Sequence, residues 1–414
     1  MSFYTSGIHS RQLNATSNSD NFRTEFKFPV SEQEIYLTDI RLCNIGIVAA
    51  GTHAINSLTG LSSLIKNITL YDGNVVLDQI LNLDLYSGFK SGYNSTNNDS
   101  IDKNHFLSKN NLGLVTLGGG NDITTQMILL NGVNQTTATS ATTPKNWMSL
   151  KDTLAFLDES MYLPTSIFKG LRLVVEYSTS LTDILPNTQP GASLTLTPFL
   201  VVNQLVNPQA EKIAMKSYNG VVYRPMEHSV VTVPKITPTA GDPNPKQDIT
   251  FTINSYNNKT VNRLIMIKQP QRASPSTSYG RLCSEAQYRE RTQVSVNGAN
   301  LLPQNGLTTE NSAKAMLYDL WGDCVDIAGS SWIADPRAVQ NAAQILGKLD
   351  YRSVMIENFV DQFQLSFGRD GQYNGSAADQ TALQPNQALR LNLFAEVNKL
   401  LAVNPDGTYS IRYV

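Results

Sequence analysis

Hydrophobic and polar positions alternate with period two through much of the chain. Phe26, Phe28 and Val30 alternate with Lys27 and Pro29, and Ile68 and Leu70 with Asn67, Thr69 and Tyr71. Leu194-Thr195-Leu196-Thr197, Ile249 to Ile253, and Phe363, Leu365 and Phe367 repeat the pattern. Alternation of this kind marks strands with one buried face. Threonine is frequent at the outward positions, where its β-branch suits a pleated surface. Helical signals are few. Asp335-Pro336 reads as an N-cap and first-turn proline, followed by Ala338, Ala342, Ile345 and Leu346 and a stop at Gly347. Glu310 to Leu320 places Ala313, Met316, Leu317 and Leu320 on one face.

The pattern also repeats at long range. Asn67-Ile68-Thr69-Leu70-Tyr71-Asp72-Gly73 runs into Asn74 to Leu77, and Gln293-Val294-Ser295-Val296-Asn297-Gly298 runs into Ala299 to Leu302. Each is an alternating strand, a tight turn and an apolar run. Leu171-Arg172-Leu173 to Tyr177 is similarly echoed by Leu389-Arg390-Leu391 to Glu396. A long-period echo implies two copies of one folding unit. With 414 residues the chain exceeds one ordinary core. All-β patterning, with about eight strands per half, predicts an all-β fold of two tandem eight-stranded jelly rolls with long loops and a few inserted helices. The expected division is an N-terminal arm over 1–20, a first roll over 21–206, a linker over 207–221 and a second roll over 222–414. Residues 91–146 and 370–388, rich in Asn, Ser, Thr and Gly, read as long irregular loops of the kind that carry function or interfaces.

Charged residues make up only 16% of the chain, against roughly 25% in ordinary soluble domains. Neutral polar residues replace them, which suits surfaces packed side by side. Net charge is −2 and no Lys/Arg run occurs. Direct nucleic-acid binding is therefore not expected, because phosphate neutralisation needs clustered cations. No apolar run approaches a membrane span, and Met1-Ser2-Phe3-Tyr4 does not open a signal peptide. Cys43, Cys283 and Cys324 read as free thiols. The Asn-x-Ser/Thr triplets at Asn14, Asn94 and Asn134 arise by chance in so Asn-rich a chain.

Candidate chemistry is sparse. His9, His53, His105 and His228 show no metal-ligand spacing. Gly118-Gly119-Gly120 lacks the Lys-Ser/Thr of a phosphate loop, and no Gly-x-Ser-x-Gly elbow occurs. Asp72-Gly73 and Asp406-Gly407 read as hairpin turns rather than calcium sites. No catalytic, cofactor-binding or metal-binding residue is assigned, and no cofactor or enzymatic activity is expected.

Three segments resemble one known family. Ile55 to Ile68 runs into Leu70-Tyr71-Asp72-Gly73; Tyr162-Leu163-Pro164-Thr165-Ser166-Ile167-Phe168-Lys169-Gly170 leads into Leu171-Arg172-Leu173; and Leu389-Arg390-Leu391 precedes a final strand ending at Val414. With the apparent duplication, the chain resembles the double jelly-roll major capsid proteins of icosahedral DNA viruses, of the polinton-like virus and virophage type. The resemblance implies a structural capsid protein resident in the virion. It implies a homotrimer of pseudo-hexagonal outline, neighbouring capsomers, and penton and minor capsid proteins as partners. The alternative is a receptor- or carbohydrate-binding jelly roll of spike or lectin type, for which Tyr93, Trp147 and Tyr373 would be loop-tip aromatics. A β-sandwich glycoside hydrolase is a third reading, although nothing marks a carboxylate pair.

Overall fold

The computed structural model describes residues 8–19, 22–30, 34–43, 54–56, 65–86, 114–116, 126–129, 147–160, 162–177, 198–206, 209, 220–236, 246–270, 291–302, 307–308, 351–370, 388–404 and 406–414. In the first half lie β1 (Ile8–Asn14), β2 (Ser17–Ser19), β3 (Arg23–Lys27), β4 (Glu34–Leu37), β5 (Arg41–Cys43), β6 (Ala54–Asn56) and β7 (Ile65–Asp72). There follow β8 (Val75–Leu81), β9 (Leu114–Thr116), β10 (Gln126–Leu129), β11 (Trp147–Ser149), helix α1 (Ala155–Glu159), β12 (Tyr162–Pro164), β13 (Leu171–Tyr177) and β14 (Phe199–Val206). One sheet runs β2-β3-β13-β7-β8. The facing sheet runs β11-β5-β14-β4-β12, with β1 along the other edge of β14. The two sheets enclose a core that includes Phe26, Tyr36, Leu42, Leu70, Leu173 and Val202, all buried.

The second half contributes β15 (Val221–Tyr223), β16 (Met226–Val233), β17 (Lys246–Thr252), β18 (Lys259–Pro270), β19 (Arg291–Val296), β20 (Ala299–Asn300) and β21 (Leu307–Thr308). It ends with β22 (Tyr351–Val360), β23 (Phe363–Asp370), β24 (Leu389–Val397), β25 (Lys399–Val403) and β26 (Tyr409–Tyr413). Its two roll sheets run β16-β24-β18-β22 and β17-β23-β19-β20. They enclose a second core with Val294, Phe363, Leu365, Phe367, Leu391 and Leu393.

The strand orders of the halves match. In chain order, β1, β3, β4/β5, β7, β8, β11/β12, β13 and β14 take the same sheet places as β16, β17, β18, β19, β20, β22, β23 and β24. The protein is thus two tandem eight-stranded jelly rolls, with all the described strand pairs antiparallel.

This correspondence corrects one of the two echoes. The hairpins of β7–β8 and β19–β20 are true counterparts. Asn297 and Gly298 both adopt positive φ, as does Gly73, the turn geometry expected of these pairs. The two Leu-Arg-Leu strands are not counterparts. β13 corresponds to β23, whereas β24 corresponds to β14. Both Leu-Arg-Leu strands lie in the interior of their sheets, so both read as apolar runs.

Three further expectations change. Residues 8–14, expected within a loose arm, form β1 and pair with β14 from Ile8↔Leu205 to Asn14↔Phe199. Their polarity reflects an outward face. β3 stops at Lys27, so Val30 is 53% exposed while Phe26 and Phe28 are buried. Within 91–146, expected to be irregular, β9 and β10 join β6 in a small sheet. The helices predicted over 310–320 and 335–347, the strand over 194–197 and most of 370–388 lie outside the described residues.

Turn chemistry ties the first roll together. The Asp72 carboxylate accepts the Gly170 N–H at 2.5 Å, and the Gly73 N–H donates to the Gly170 carbonyl at 2.9 Å. A Cβ on Gly170 would lie 2.7 Å from the Gly73 nitrogen. Gly170→Ala should therefore force the two turns apart and cost roughly 1–3 kcal/mol, measured as a lowered denaturation midpoint. Leu391 is fully buried in the second core. Leu391→Asp should cost about 4 kcal/mol or more, a large part of a typical 5–15 kcal/mol margin. Denaturant titration checks both, and a midpoint unchanged by Leu391→Asp would refute the register of β24.

Candidate functional site

The two rolls meet along a seam, and that seam is where the polar and ionisable side chains converge. On β16 and β24 the core-facing residues Val231, Val233, Leu391 and Leu393 alternate with Met226, His228 and Val230 and with Asn392, Phe394 and Glu396 on the opposite face. That outer face should be solvated in an isolated antiparallel sheet. Here its centre is buried: Ile265, Ile267 and Phe394 are fully inaccessible. Tyr86, in a helical turn after β8, packs on Phe394 with ring centroids 5.5 Å apart. His228 lies 4.7 Å from the same ring.

A polar chain crosses the seam beside this aromatic group. Asn82 ends β8 with a positive φ of 51°, a conformation asparagine tolerates. Its side-chain amide donates to His228 Nδ1 at 3.2 Å. His228 Nε2 lies 3.2 Å from Asn392 Oδ1, and Asn392 Nδ2 donates to Gln269 Oε1 at 2.9 Å. Burial holds the His228 pKa below its ordinary value, against the hydrogen bond to Asn392. The neutral ring suits this relay: Nδ1 accepts from Asn82 and Nε2–H donates to Asn392.

A cleft of about 220 Å³ opens nearby, lined from the first roll by Asp78, Lys151, Asp152 and Asp158 and from the second by Arg224 and Glu396. Asp78, 2% exposed, accepts the Phe156 N–H at 2.8 Å and the Gln79 N–H at 2.7 Å. It therefore caps α1 from a strand, in place of a local N-cap side chain. Burial pushes its pKa up to about 6, against those two N–H groups and the Lys399 charge. Glu396 sits 2.9 Å from Arg263 Nε and 3.9 Å from Arg224 Nη1. Burial outweighs both cations and raises its pKa.

The third cluster surrounds Glu227. Lys259 Nζ lies 2.6 Å and Lys399 Nζ 3.4 Å from its carboxylate, and the Tyr413 hydroxyl donates to it at 2.5 Å. Burial pushes the Glu227 pKa up, but these partners outweigh it and hold the group below its usual range. Both ammonium groups also face the Tyr413 ring, at 4.3 and 4.9 Å from its centroid.

Of the two histidines among the described residues, His228 joins this seam. His9 lies on the exposed strand β1, and His53 and His105 lie outside the described residues, as do Tyr93 and Tyr373. Trp147 sits in β11 paired with Cys43 rather than at a loop tip. Cys43 is buried, and burial raises its pKa against Arg41. Among the described residues, no group of three or more His, Cys, Asp or Glu is placed to hold a metal. No helix among them is long and apolar enough to cross a membrane. Nothing in the sequence marked Asn82, His228 and Asn392 as a relay, because they come from three distant strands.

No family model and no curated protein matches the chain. Solved structures do. The PBCV-1 VP54 structure fitted into a reconstruction of the virophage Sputnik is 10% identical, with a TM-score of 0.59 over 100% of this chain and 98% of that one. The mavirus major capsid protein is 9% identical, with a TM-score of 0.52 over 99% and 90%. The Faustovirus major capsid protein is 9% identical, with a TM-score of 0.51 over 98% and 92%. At such identities the likeness is one of fold, and it extends over both rolls: this chain folds as a double jelly roll like those capsid proteins.

The cleft makes a pH prediction. The folded-state pKa of Asp78 lies above its ordinary value, so the folded state binds its proton more tightly. The contribution of Asp78 to stability is then greatest at low pH and declines as pH rises from about 4 through about 6. It amounts to on the order of 2–3 kcal/mol. Asp78→Asn should be less stable at pH 4, since the amide nitrogen that replaces one carboxyl oxygen has no lone pair for the N–H group it would face. Its melting temperature should also fall less between pH 4 and pH 7 than that of the parent. Equal pH slopes in the two proteins would refute the assignment.

Proposed function

We propose that the chain is a structural major capsid protein. Three copies would form a pseudo-hexagonal capsomer, and such capsomers would tile an icosahedral shell. The observation that carries this reading is the seam itself. It is a heterologous contact: one side is β8 and the turn at 82–86 of the first roll, the other is the outer face of β16 and β24 in the second. Heterologous contacts between like units close into rings when the rotation permits. Two rolls per chain and three chains give six like units.

The counterpart face on the first roll supports this. It carries Ile8, Ser10 and Gln12 of β1 beside Leu205, Asn203 and Val201 of β14. Ile8 is 60% exposed, and Val201 and Leu205 are half-buried. On the second roll, the equivalent β24 positions Asn392, Phe394 and Glu396 are buried at the seam. The reading places the second roll of a neighbouring copy on this face. The low charge content suits such tiling, because buried unpaired charge is costly.

The domain division in this reading keeps 21–206 and 222–414 as the two rolls, with 207–221 as linker, but adds β1 and β2 to the first roll from the segment 1–20 and lets the end of the second stretch pack on the first core. Neighbouring capsomers, penton proteins and minor capsid proteins would be the partners and the virion the location. The role is structural rather than enzymatic, uses no cofactor and needs no direct contact with nucleic acid.

Light scattering at micromolar concentration should return three times the 45.5 kDa chain mass. Val201→Arg, at a half-buried outward position, should leave the melting temperature of the chain within a few degrees but reduce the particle to monomer. A parent protein that is monomeric and binds glycans would instead favour the receptor- or carbohydrate-binding alternative.

A further inference from the structure

The first roll is not closed by its own stretch of sequence. Strands β15, β25 and β26 form a separate three-stranded sheet, in the order β15-β25-β26. Their sequence flanks the second roll, yet their side chains fill the first core. Tyr223 and Leu401 are fully buried within that core, with Val403, Tyr409 and Ile411 packed against it. Tyr223 stacks edge-on against Phe156 at 5.2 Å and donates its hydroxyl to the Leu77 carbonyl at 2.6 Å. Tyr409 lies 5.4 Å from Phe168, and its hydroxyl donates to the Asp72 carboxylate at 2.7 Å. The same Asp72 holds the Gly170 turn.

The sheet is anchored to the second roll as well. The Val397 N–H donates to the Pro225 carbonyl, the Asn398 N–H to the Thr260 carbonyl, and the Val414 N–H to the Asn398 carbonyl. The Glu227 cluster of Lys259, Lys399 and Tyr413 fixes its outer end. Residues 399–413 therefore form a strap, with one side inserted in the first core and its end tied to the second roll.

We propose that this strap is a completion device: the first roll gains its finished core only after the whole second roll has been made and the strap has docked. The second core contains no residue of the strap, so the second roll can close without it. All the described strands between Tyr223 and Lys399, β16 to β24, belong to that roll, so its folding brings β15 and β25 together as a preformed pair. A chain interrupted before residue 399 would carry an open first core. Its seam face, which includes Asp78 and Tyr86, would then lack its final packing. Contact order makes such long-range closure late.

The test follows amide hydrogen exchange in the intact chain. Leu401→Asp should raise exchange in β7, β8 and β13 by about tenfold or more while leaving β18, β19 and β23 protected. Equal loss in both rolls, or no loss in the first, would overturn the proposal. If Leu401→Asp does not yield soluble protein, pulse-labelled refolding of the unaltered chain decides. Amides of β18 and β23 should become protected first, and those of β7 and β13 only together with β25. Protection of β7 and β13 before β25 would overturn it.

Discussion

Strand β24 is buried on both faces, and the architecture depends on that. From Leu391 to Val397 every residue is inaccessible or nearly so. One row, including Leu391, Leu393 and Ala395, closes the second core. The other, including Asn392, Phe394 and Glu396, meets the first roll. An antiparallel strand with a single buried face would alternate with polar residues, and this one does not. The fully buried Phe394 alone represents roughly 2–3 kcal/mol of transfer free energy, and the relay of Asn82, His228 and Asn392 satisfies the polar groups buried beside it. A rigid seam follows, and the relative setting of the rolls is fixed by packing rather than by a linker.

The buried ionisable groups in and beside the seam differ in how burial and partners balance. At Glu227, two ammonium groups and a tyrosine hydroxyl outweigh the loss of water. At Glu396, two guanidinium groups do not. At Asp78 backbone N–H groups and the Lys399 charge favour the carboxylate, and burial still dominates. Glu396, on the seam face of the sheet, and Glu227, on its other face, are thus carboxylates of opposite tendency on neighbouring strands.

Much of the fold was legible from period-two alternation. Phe363, Leu365 and Phe367 point inward as read, and the Asp72-Gly73 and Asn297-Gly298 hairpins are equivalent turns in equivalent places. The reading failed where burial is decided by a distant element. The outward face of β24 looks like core because another roll covers it, so β24 was matched to β13 instead of β14. Strand β1 looks like a tail because six of its seven residues are exposed. The strap gave no signal at all: Leu401 and Tyr409 read as second-roll strand residues, and only the tertiary structure places them in the first core. The seam relay was hidden for the same reason, since spacing along the chain carries no information about three residues drawn from separate strands.

In the proposed capsomer, two like rolls joined by a heterologous seam are two sixths of a closed ring. Electron microscopy of the purified chain tests this most directly. Particles with six similar lobes around a threefold axis, with first and second rolls alternating, are the predicted result. Isolated two-lobed particles at micromolar concentration, with the β1–β14 face uncovered, would contradict it.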